Sequence, residues 1–175
     1  MFMIIVSVAL AGVVSVLNVT VKASADPMIR KNMLSIAESL LEEVQLKPFT
    51  WCDPDDATAA TATSAAVSVT ACSAAIEAIG PEAGELRTSA TTPFDNVNDY
   101  NGLVLPSPIP SVSGTSFAPA GYSARIAVTA EAGLGPSGLR PASTEALLIA
   151  VTVIWGGDSL TLHGYRTRYS PNTLP

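Results

Sequence analysis

The sequence predicts an α+β protein in which one long N-terminal helix packs on a small antiparallel sheet. Three observations lead there. Residues 1–21 (MFMIIVSVALAGVVSVLNVTV) are apolar except for Ser7, Ser15, Asn18 and Thr20, and no charge precedes Lys22. Residues 28–47 carry apolar side chains at helical spacing. The last third holds three β-rich runs divided by turn signals.

About 20 apolar residues rising 1.5 Å each span roughly 30 Å, the thickness of a bilayer core. Residues 1–25 therefore read as a membrane-spanning segment. Its small residues Ala9, Ala11, Gly12 and Ser15 would let helices approach closely. The competing reading is a secretory signal peptide cleaved after Ala25, at the small-x-small run Ala23-Ser24-Ala25. Against it, a basic start is missing and the apolar run is longer than such peptides use. Asp26-Pro27 punctuates the chain. Asp suits a helix N-cap and Pro the first helical position, so the two rods either break here or form one helix kinked at Pro27. Beyond it, Ile29, Met33, Ile36, Ala37, Leu40, Leu41 and Val44 form one stripe. Arg30, Lys31, Glu38, Glu42 and Glu43 lie mainly off the stripe, as on a helix with one packed face. The glutamates read as a solvated or subunit-facing edge. Pro48 stops the helix.

Residues 48–175 form the globular head. Trp51 to Asp56 is a loop by composition, and 57–75 is mostly Ala, Thr and Ser without a decided secondary structure. Gly80-Pro81 and Gly84 mark a long connection. Residues 94–102 (FDNVNDYNG) are dense in turn formers, and four prolines in 105–119 imply an extended surface segment. Then comes the sheet, about 122–167. Tyr122 to Ala130 alternates, with Ala124, Ile126 and Val128 on one side. Thr144 to Trp155 is apolar on both faces, as suits a central strand. Gly156-Gly157-Asp158 signals a hairpin into Ser159 to Thr167. Such a sheet has one apolar face to cover, and the stripe of 28–47 is its cover.

Composition narrows the function. Nine Lys and Arg are spread along a chain of net charge -6, so no nucleic-acid partner is expected, because phosphate binding needs clustered cations. Cys52 and Cys72 are the two cysteines and read as a disulfide closing a surface loop (52–72). The chain-entropy contribution of such a closure is roughly 3 kcal/mol. A zinc site is disfavoured, since His163 is the only histidine and is remote. Asp53, Asp55 and Asp56, or Asp95 and Asp99, are weak candidates for a cation such as calcium. Neither stretch has EF-hand spacing, and turn chemistry accounts for both. Trp51 and Trp155 read as packing residues. No nucleophile signature accompanies His163, so neither an enzyme nor a cofactor is expected.

Several stretches carry a family resemblance. Residues 8–56, with Ala-Asp-Pro, a basic turn, an Ala-Glu helix and Lys-Pro-Phe leading into Cys-Asp-Pro-Asp-Asp, resemble type IV pilins and pseudopilins. They are closest to MSHA-type pilins of the D class. Residues 94–102 and the C-terminal strands are similar to the same family. The resemblance implies a pilin-like fold with a long protruding N-terminal helix. Residues 1–25 would lie first in the inner membrane and then in a filament core, and 28–47 would pack on the sheet. Val8, Leu10, Gly12, Val13, Val16 and Leu17 would form the assembly face. Partners would be copies of the chain or other pilins, the inner membrane and the pilus assembly machinery. The protein would end as an extracellular pilus serving surface attachment. The family's leader, Gly-Phe-Thr-Leu-Ile-Glu processing site and assembly glutamate are not among residues 1–175. Aligning the apolar helix places them ahead of Met1.

Overall fold

A computed structural model describes residues 2–68, 71–142 and 144–168, with the side chains of 2, 4, 5, 8, 9, 11 and 16–26 outside that description. Helix α1 runs Phe2–Gln45 and spans 44 residues with Pro27 inside it. The two rods are thus one continuous helix. Proline removes one donor, so the carbonyl of residue 23 loses its partner in the ladder. The expected end at Lys47 is two residues late. Leu46 N–H still donates to Glu42 O (3.0 Å) and Lys47 N–H to Val44 O (3.1 Å), and Pro48 closes the element. No helix among the described residues is long and apolar enough to cross a membrane. Most side chains of the expected span 1–25 lie outside that set.

Four strands follow: β1 (Val104–Leu105), β2 (Tyr122–Ala130), β3 (Ala146–Trp155) and β4 (Asp158–Thr167). They form one antiparallel sheet in the order β1-β2-β3-β4. The three expected strands are present, with β3 starting two residues later than Thr144. The hairpin turns at Gly156-Gly157, where Gly156 has φ +58° and Trp155 pairs with Asp158. β1 was not expected. The proline-rich stretch also departs from a surface segment, because Leu105 and Ile109 are buried in the core.

The core lies between α1 and the sheet. Met33, Ile36, Ala37, Leu40, Leu41 and Val44 are buried there, with Ile29 packed at the margin. Opposite them, strand alternation sends Tyr122, Ala124, Ile126 and Val128 inward from β2, and Leu147, Ile149, Val151 and Val153 from β3. Register pairs Ala124 with Val153, Ile126 with Val151 and Val128 with Ile149. The other face of β3 is covered less than an apolar strand suggests: Leu148, Ala150 and Ile154 are half-buried. Trp155 packs on Tyr122, ring centroids 6.2 Å apart.

Two features fix where α1 lies on the sheet. At Gly164 in β4, a Cβ would stand 2.6 Å from Gln45 Nε2 and 2.8 Å from Leu41 Cδ1. Glycine weakens a strand interior, and here it admits the helix. The second is Glu43, which is not the solvated or subunit-facing residue its charge suggests. Arg87 donates to it through Nε and Nη2, both at 2.7 Å, and through Nη1 to Pro110 O at 2.7 Å. Tyr100 Oη–H donates to Glu43 Oε1 at 2.9 Å. Burial first, then the Glu43 charge, pushes the Tyr100 phenol far above its usual range. Glu38 and Glu42 are exposed as expected.

Gly164→Ala is expected to destabilise the head by about 1–3 kcal/mol, the usual cost of forcing extra volume into a packed contact. Urea unfolding checks this. An unchanged midpoint would mean that α1 can shift off β4 freely.

Candidate functional site

The expected disulfide is present between Cys52 and Cys72, and both residues are buried. Ala59 and Ala62 pack around it, with Trp51 at its side. Backbone contacts then stack three segments under this loop. Cys52 bridges Ile76, and Glu77 N–H donates to Trp51 O at 3.1 Å. Gly80 N–H donates to Asn98 O (3.0 Å) and Val97 N–H to Pro48 O (3.1 Å). Residues 76–80 are thereby held between the Cys52 segment and a single 3-10 turn, Asn98–Tyr100. Asp99 starts that turn from within. Its Oδ2 reaches back to accept from the N–H of Asp95 (2.9 Å) and of Asn96 (2.7 Å), in the manner of a capping-box acid.

The candidate acids separate into two environments. Asp56 is a structural clasp. Its Oδ1 accepts from Thr58 N–H (2.8 Å), Thr58 Oγ1 (2.7 Å), Ser73 N–H (3.1 Å) and Ser73 Oγ (2.7 Å). Its Oδ2 accepts from the N–H of Ala74 (2.7 Å) and Ala75 (3.1 Å). These donors, Thr58 foremost, hold its carboxyl far below the usual range.

The other candidates converge with acids that sequence reasoning missed. Asp53, Asp55 and Asp95 bring carboxylate oxygens within 4.8 Å of one another; so do Glu77, Glu82 and Asp99, and also Glu85, Asp95 and Asp99. Burial is the main cause of raised pKa values throughout. Glu77 is pushed up to about 10, with repulsion from Asp99 second. Glu85 rises to about 8, again with Asp99 second. Asp99 rises to about 7 against the lowering effect of its two N–H donors. Asp95 rises to about 6, with Asp53 the next contributor, and Asp53 itself is raised. Glu77, Glu82 and Glu85 fall in a stretch that reads as a connection. Their only sequence signal was three acids in nine positions beside Gly80-Pro81 and Gly84.

A cavity of about 220 Å³ opens beside this group, lined in part by Phe49, Trp51, Glu77, Asn98 and Arg168. Arg168 stacks over Phe49 (3.6 Å) and Trp51 (3.9 Å), and donates from Nη1 to Phe49 O (2.9 Å) and from Nε to Thr144 O (3.1 Å). Burial lowers its pKa to about 10. Trp51 and Trp155 are thus both engaged in packing. His163 is exposed on β4, opposite Ala150.

Of the expected assembly residues, Leu10, Gly12 and Val13 are exposed on α1. Val8, Val16 and Leu17 have side chains outside the described residues, as does Ala25 at the alternative cleavage point. Pro27 is exposed within the helix.

The raised values set the sign of a pH dependence. Between about pH 8 and pH 5 the folded chain binds protons at Glu77, Glu85, Asp99 and Asp95 that the unfolded chain, with values of 3.8 for Asp and 4.5 for Glu, does not. Stability therefore rises as pH falls across that window. Below about pH 4 the gain ends as unfolded carboxyls protonate too. In chelator-containing buffer, the melting temperature at pH 5 should exceed that at pH 8. A flat or opposite profile would show that these acids are not buried together.

Compared with known proteins, the chain matches no family model, no curated protein and no solved structure, so the functional reading rests on its own residues.

Proposed function

We propose that this protein is a structural subunit of a type IV pilus or pilus-like filament, polymerising through its hydrophobic N-terminal helix and serving surface attachment. One observation carries the proposal: the two ends of α1 treat apolar side chains oppositely. Met33, Ile36, Ala37, Leu40, Leu41 and Val44 are buried on the sheet, with Leu34 off the stripe and exposed. Toward the N-terminus Met3 is 83% exposed, Leu10 61% and Val13 57% within the single chain. Exposed apolar surface of this kind marks an interaction site. If straight, the 44 residues of α1 would reach about 66 Å, more than a head of this size needs for its own packing. Residues 1–25 then protrude. They have two successive partners, the inner membrane before assembly and copies of the chain afterwards.

The mechanism is mechanical. Contact between apolar helices replaces contact with lipid, and a heterologous, non-closing interface repeats into a filament. The sheet and the disulfide loop form the outer surface. No enzymatic step is assigned to the subunit, and assembly is driven by separate machinery.

Val13→Asp places a charge in the helix bundle and should abolish filaments seen by electron microscopy, while circular dichroism of the head stays unchanged. Filaments persisting with Val13→Asp would refute the proposal. The mass of the mature chain separates the rival. A chain starting at Asp26 would instead be a secreted binding domain released after Ala25.

A further inference from the structure

We propose that the head binds a calcium ion beneath the disulfide loop, at a site built round Asp99 with Glu77, Glu82, Glu85 and Asp95 as the other carboxylates. This site is independent of the filament reading. Asp99 belongs to two of the three acid triads, with Glu77 and Glu82 and with Glu85 and Asp95, each set within 4.8 Å. Proximity of acids alone would not make a site. What points to a ligand is the set of oxygens left without donors. Among the described residues, seven buried side-chain polar atoms have no hydrogen-bond partner. Six of them are acceptors from this one region: Glu77 Oε1 and Oε2, Asp95 Oδ1, Asn96 Oδ1, Asn98 Oδ1 and Asp99 Oδ1.

Asp99 is 0% exposed and Asn98 5%. Asn98 is a neutral amide that lines the same cavity as Glu77, so its unpartnered oxygen is not explained by charge crowding. Folded proteins leave few such groups, because each buried acceptor without a partner forfeits its hydration. Here six of the seven are oxygens that lack a donor or a cation, and the seventh is Arg166 Nε on β4. The neighbouring cations act on this group without bonding the unpartnered oxygens. Lys47 favours the Asp95 carboxylate and Arg168 feels the Glu77 charge. The Arg168 guanidinium, however, donates to two carbonyls and stacks on two rings.

The donor set selects the ion. It is all oxygen, with both cysteines bonded to each other and His163 away on β4, which disfavours zinc and other softer metals. Carboxylates and amide oxygens from irregular segments suit the six to eight flexible ligands of calcium better than the strict octahedron of magnesium.

The test is calorimetric titration of the full chain in detergent with CaCl2 in KCl near physiological ionic strength. The expected result is saturable binding of one ion per chain, with a raised melting temperature and weaker binding of MgCl2. Glu82→Gln, on a half-buried loop position, should weaken binding by roughly ten-fold or more. Asp99→Asn should do the same, and Asp158→Asn in the distant hairpin should leave it unchanged. No saturable binding up to roughly 10 mM, above the weakest range of extracellular calcium modules, would overturn the site. Affinity unchanged in Glu82→Gln, or equal for magnesium, would overturn it as well.

Discussion

One helix face covers one sheet face, and the rest of the head depends on that contact. The stripe from Met33 to Val44 lies over β3 and β4, closest at Gly164, and shares its core with the inward side chains of β2. No second helix shares the task among the described residues. The sheet therefore cannot bury its apolar face without residues 33–44. Those residues are continuous with the exposed apolar part of the same helix. Folding of the head and presentation of the N-terminal segment are consequently coupled through one element. Glu43 and Arg87 add orientation to this contact. A bidentate pair with few geometric solutions sets which turn of α1 faces residues 87 and 110. Removing one partner would strand a charge, so the pair specifies more than it stabilises.

The head also shows how environment, not residue type, decides what an acid does. Asp56 and Asp99 both sit in Asx-rich turns. Asp56 has donors on both oxygens and stays ionised well below the usual range. Asp99 has donors on one oxygen only, faces other carboxylates, and moves up to about 7. The first arrangement closes on itself. The second is open to a positive partner.

The fold was legible where periodicity was strong. The helical stripe named the buried residues of α1, and alternation placed β2, because a buried face imposes its period on the sequence; a continuous apolar run placed β3, and the Gly156-Gly157-Asp158 signal placed β4. Short or long-range features left no such trace. β1 has two residues and no period to read. Glu43 and Arg87 are 44 positions apart, and nothing local distinguishes Glu43 from exposed Glu42. Of the acid cluster, Asp53, Asp55, Asp95 and Asp99 were visible as turn formers. Glu77, Glu82 and Glu85 were not, since only long-range backbone contacts, Cys52 with Ile76, Trp51 with Glu77 and Gly80 with Asn98, bring their segment to Asp99. The alternatives at Pro27 could not be separated because proline either ends or bends a helix depending on what packs around it.

The loop closed by Cys52 and Cys72 has a consequence for how this protein can change over generations. Its interior is minimal: the disulfide, three small alanines and the Asp56 clasp. Positions 57, 60, 61 and 63–68 are exposed and carry few packing obligations. Substitutions there leave the core of the head untouched. This surface of the head can drift in sequence, one exposed position at a time, while the chain that holds it keeps its shape.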